Sequence, residues 1–121
     1  MHLSADIVYA EPREDDYPNS VGFRDTTVDY CVVLSRFSDV SPDRGTINVM
    51  VRDQIHTEAA NVALDLSRSQ CRLRLDEKAA SELLGVREYT IDFQADDATC
   101  RRAVELLGVI FEGLPGLAMA G

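Results

Sequence analysis

The chain has 121 residues, a formal net charge of −9 at pH 7, 45% hydrophobic residues and 27% charged ones. That length suits one domain, 1–121, built around one core, and the composition is far from that of a disordered chain. So acidic a chain repels a phosphate backbone and an anionic leaflet, which excludes nucleic acid and membrane surfaces as expected partners and admits a basic protein.

Residues 5–10, ADIVYA, predict a short first strand, placed at an edge. Glu11 to Asp29 carries two prolines, a glycine and many acids, and reads as a long irregular connection. Connections of that length in compact domains are commonly used for binding. Tyr30 to Phe37, YCVVLSRF, is a β-rich run closed by the turn-forming SDVSPDRG. Ile47, Val49 and Val51 alternate with polar or flexible neighbours, which predicts a third strand ending near Gln54. QIHTEAAN follows as a loop.

Val62, Leu64 and Leu66 then face one way, SRSQ makes a polar turn, and Cys71, Leu73 and Leu75 face one way again. Two alternating runs so joined predict an antiparallel hairpin with one dry face, Arg72 and Arg74 lying on the wet one. Asp76 is placed to cap a short helix with an apolar edge of Ala79, Ala80, Leu83 and Leu84, and Gly85 to end it in the left-handed conformation. Tyr89, Ile91 and Phe93 form a further strand. Asp96 or Asp97 caps the last helix, Asp97 to Glu112, where Cys100, Ala103, Val104, Leu107, Ile110 and Phe111 recur at helical spacing. Residues 114–121 are expected to fray. The fold class is α+β: an antiparallel sheet of five to six strands with the C-terminal helix on one face. Leu73, Leu75, Ile91, Phe93, Leu107 and Phe111 are expected in one core.

Cys31, Cys71 and Cys100 form no CxxC pair and fall on apolar stripes, which predicts three buried thiols outside any disulfide. The start has no basic segment followed by an apolar run, so a cytoplasmic location is expected. His2 sits at what reads as a mobile terminus. His56 with Glu58 has the residue types of half an acid/base or metal site, with no matching second half in the sequence. No serine lies in a nucleophile-elbow context and no glycine pattern makes a phosphate cradle. No catalytic residue, cofactor or metal is expected. Asp76, Glu77, Asp96 and Asp97 have capping duty, whereas Glu14, Asp15 and Asp16 have none. With Tyr17 beside them they form a candidate patch for a basic partner, and Asp39 and Asp43, in the turn after YCVVLSRF, form a second, reserve patch that could face the same partner. Phe23 is expected to pack beneath the loop.

YCVVLSRF, the GF-x-D of Gly22, Phe23 and Asp25, INVMVRDQ, and the LDL…RLRLDEKAASELLG…EYTIDF run together resemble the immunity protein 10 family of bacterial polymorphic toxin systems. The similarity covers residues 21–111, with Arg36 and the Asp53-Gln54 pair among its polar marks. It implies a small intracellular α+β protein that binds and neutralises a cognate toxin domain without catalysis. A secretion chaperone or adaptor is the alternative, and a small enzyme built on His56 the third reading.

Overall fold

The computed structural model describes residues 1–12, 14, 18–36, 46–52 and 54–119. The strands and helices, in chain order, are β1 (His2–Ala5), β2 (Ile7–Glu11), β3 (Asn19–Asp25), β4 (Tyr30–Arg36), β5 (Ile47–Val51), β6 (Ile55–Ala59), β7 (Ala63–Leu66), β8 (Gln70–Arg74), α1 (Glu77–Glu82), β9 (Glu88–Phe93), α2 (Asp97–Ile110) and β10 (Leu117–Met119). The α+β class holds, and the five-stranded sheet occurs twice. β2 to β6 form an all-antiparallel meander in sequence order; the second sheet runs β1-β9-β8-β7-β10, antiparallel at its centre and parallel at both edges.

Each sheet turns one apolar face inward. Val21 and Phe23 of β3, Val32 and Leu34 of β4, and Val49 and Val51 of β5 meet Leu64, Leu73, Tyr89 and Ile91 of the other sheet in one buried cluster. Phe23 packs on Phe93 with ring centroids 5.4 Å apart, and the Tyr30 and Tyr89 hydroxyls lie 2.8 Å apart, so the two sheets touch through both pairs. The six residues expected in one core all belong to this cluster. α2 packs across β2, β3 and β4 and buries Ala103, Leu106, Leu107 and Ile110, while α1 closes the β6 side. No described helix is long and apolar enough to cross a membrane.

The helix signals act as read. Asp76 Oδ1 accepts from Ala79 N at 2.9 Å and Asp96 Oδ1 from Thr99 N at 2.7 Å; those backbone N–H bonds hold both carboxyls below the ordinary carboxylate range. α1 ends one residue before the expected glycine: Leu84, at φ +68° and 49% exposed, takes the left-handed position and leaves the apolar edge assigned to it, and Gly85 follows at φ +80° with its N–H on Ala80 O. On α2, Val104 faces outward and Leu106 inward, one residue off the expected stripe at each place.

Six expectations are corrected. The first strand is two strands: the chain passes from one sheet to the other at Asp6, whose carboxylate accepts from Thr26 N at 2.8 Å and from the Thr26 hydroxyl. Those bonds pull its pKa down, the hydroxyl contributing most. The connection from Glu11 to Asp29 contains β3, paired on both sides. Its glycine is not a break: a Cβ on Gly22 would stand 2.2 Å from Tyr9 Cζ, so the missing side chain makes room for an aromatic ring from the neighbouring strand. QIHTEAAN contains β6, because backbone pairing with β5 outweighs its polar character. Within 114–121, Leu117–Met119 pairs in parallel with β7 rather than fraying, and Leu64 N donates to Gly116 O at 2.8 Å. His2 is held in β1 and bonded to Asp92, not mobile. None of the three cysteines is in a disulfide; Cys31 and Cys71 are buried, and Cys100 only half-buried.

Candidate interaction surface

The two outer faces differ. On the β1-β9-β8-β7-β10 sheet, charges are matched: Arg72 pairs with Glu88 at 2.8 Å, Arg74 with Asp65 at 3.2 Å, and Asp92 accepts from Gln70 at 2.9 Å. The arginines line the wet face, as their alternation requires. On the β2–β6 sheet the register draws one line across all five strands, Tyr9, Gly22, Val33, Met50 and His56, and a parallel line of Glu11, Ser20, Ser35, Asn48 and Glu58. At a strand spacing of about 4.8 Å, five strands give a face roughly 19 Å wide. Its middle is apolar, and its border toward one sheet end is polar.

That border is where the acidic segments leave the sheet. In a meander, alternate connections fall at the same end, so those between β2 and β3 and between β4 and β5 emerge together, bracketed by Glu11, Asn19, Arg36 and Ile47. Asp15, Asp16, Tyr17, Asp39 and Asp43 themselves lie outside the described residues, as does Asp53. Glu14 is described and exposed.

Arg36 organises the same end. Its Nη1 donates to the carbonyls of Ile110 at 3.0 Å and Glu112 at 2.8 Å, placing a cation on the unsatisfied C-terminal carbonyls of α2. The other marks of the family resemblance also have physical duties. Phe23 is a core ring on a strand, and Asp25, 7% exposed, accepts from Ser4 N and Thr27 N at 3.0 Å each, tying β1 to the β3–β4 turn. Gln54 sits at φ +80° in the β5–β6 turn.

His56 and Glu58 point the same way from β6 and share Asn48, whose Nδ2 donates to Glu58 Oε1 at 3.2 Å and lies 3.3 Å from His56 Nδ1. Glu58 also accepts from Thr46 at 3.1 Å. This is an exposed polar network on a strand, in which the Asn48 amide stands between the imidazole and the carboxylate. Among the described residues, no three of the metal-ligating types cluster closely enough to hold an ion.

The outer face of the β2–β6 sheet escapes sequence reading because β3 and β6 do. The available signal was the alternation of Val21 and Phe23 in NSVGFRD, masked by a glycine that reads as a turn. The face thus has a largely buried apolar centre, with Tyr9 and Met50 half-exposed, and a polar border. No family model, no curated protein and no solved structure matches this chain.

Proposed function

We propose that this is a non-enzymatic immunity protein, which binds a cognate bacterial toxin domain and neutralises it in the cytoplasm. One observation carries the reading: the strand order sends both acid-bearing connections, with Asp15, Asp16 and Tyr17 in one and Asp39 and Asp43 in the other, out of the same end of one sheet. On a chain of net charge −9, that end attracts a basic partner and speeds its encounter. Tyr17 supplies contact area, and the half-buried Tyr9 and Met50 add apolar surface to it.

The test is co-expression with candidate toxin domains encoded by the genes neighbouring that of this chain. Growth rescue and a stable one-to-one complex are expected, with Asp15→Lys/Asp16→Lys and Asp39→Lys/Asp43→Lys slowing association and flattening its salt dependence at unchanged thermal stability. Failure to rescue together with absence of a complex removes the reading. A complex that leaves the toxin active replaces it with a chaperone role.

A further inference from the structure

A cavity of about 310 Å³ lies between α2 and the two sheets. Phe23 and Phe93 meet there from opposite sheets, Leu66 and Ala103 wall it, and Val104 and Met119, 40% and 41% exposed, form its lip. The space opens to solvent at this lip, so it is a cleft that a ligand can enter without the fold opening. An engineered apolar cavity of about 150 Å³ stays dry and admits benzene, and small-molecule pockets begin near 300 Å³. The space is therefore about twice what a benzene-sized side chain of a protein partner fills, which favours a small molecule with an extended apolar body.

The polar groups gather on one side. Arg68, in the β7–β8 turn, donates from Nη1 to Cys100 Sγ at 2.9 Å, and from Nη2 to Ala95 O at 3.1 Å and Asp97 Oδ1 at 2.8 Å. Its side chain is 59% exposed, so its remaining N–H groups face solvent. Sulfur is a weak acceptor, and the Asp97 side chain is 86% exposed, so that ion pair is weakly held. A carboxylate at the cavity mouth can replace the thiol, the weakest of the three acceptors, on Nη1.

We propose that this cavity binds a small apolar monocarboxylate, its hydrocarbon body against Phe23, Phe93 and Leu66 and its carboxylate on Arg68. The site flanks the N-terminal half of α2, away from the helix end that Arg36 meets, and does not depend on the toxin reading.

Decanoate, titrated below its micelle concentration, is the probe, and 1-decanol the control without a charged head. Saturable amide-shift changes at Arg68, Cys100 and Ala103 are expected with decanoate, and weaker binding of decanol. Arg68→Gln should weaken decanoate about tenfold and leave decanol unchanged, whereas Val104→Trp, at the exposed lip, should weaken both. Saturating decanoate should also slow alkylation of Cys100 by iodoacetamide, with thermal melts confirming that both variants fold. The proposal is overturned if decanoate gives no saturable shifts, if Arg68→Gln leaves the decanoate-to-decanol preference intact, or if Cys100 is protected only by a bound toxin domain.

Discussion

Tyr30 and Tyr89 offer a direct test of how the two sheets are joined. They come from β4 and β9, are 7% and 0% exposed, and place their hydroxyls 2.8 Å apart with ring centroids at 5.9 Å. Neither hydroxyl has another protein partner among the described residues, so each satisfies the other. Removing one oxygen strands its mate: Tyr30→Phe leaves the fully buried Tyr89 hydroxyl unpaired and should cost about 1–3 kcal/mol. Tyr89→Phe leaves a hydroxyl nearer the surface and should cost less, about 0.5–1.5 kcal/mol. The double variant removes both oxygens and keeps both rings, so it should lose no more than roughly 1 kcal/mol, well short of the sum of the singles. Urea unfolding with a common m-value is the assay. If the double loss equals the sum of the singles within about 0.5 kcal/mol, the two hydroxyls do not form a buried pair and the proposed face-to-face packing of β4 on β9 is wrong.

Three further outcomes follow from single residues. Burial, helped by the charge of Asp65, pushes the Cys71 thiol from an ordinary value near 9.0 up to about 12; above pH 9 the unfolded chain therefore releases a proton that the native one keeps, and stability should fall toward pH 12 by up to about 1.4 kcal/mol per pH unit. Subtracting the profile of Cys71→Ala isolates that slope, and identical slopes in the two proteins would contradict it. In Gly116→Ala, the new Cβ would meet Val62 O at 1.8 Å, backbone that no rotamer change relieves, so β10 should detach and the Leu64 amide should exchange much faster with solvent, at a cost of about 1–3 kcal/mol; unchanged Leu64 protection would show that β10 is not paired. Arg36→Ala should lower the melting temperature by roughly 3–6 °C per kcal/mol lost, about 1–2 kcal/mol in all, through the freed carbonyls of Ile110 and Glu112; a melt within a degree of the parent would leave that cap without energetic weight.

Local chemistry was enough to read the β7–β8 hairpin, the caps at Asp76 and Asp96, the end of α1 to within one residue, β9, and most of the buried face of α2. Each of these depends on neighbours within a few residues: side-chain alternation, a carboxylate three residues before an amide, a glycine free to take positive φ. The elements that were missed owe their existence to pairing with another strand rather than to the pattern of their own residues. β3 needs the ring of Tyr9 over Gly22, β6 needs the backbone of β5, and β10 needs a gap at Gly116 for the Val62 carbonyl. Alternation also says that Leu73 and Val49 are buried, but not that they lie in different sheets facing each other, because period two reports a face and not which sheet owns it. The acids at 15, 16, 39 and 43 were visible as residues without capping duty. That the connections bearing them leave from one end is a property of strand order, set by long-range backbone pairing and by the turn of the chain at Asp6 from one sheet into the other.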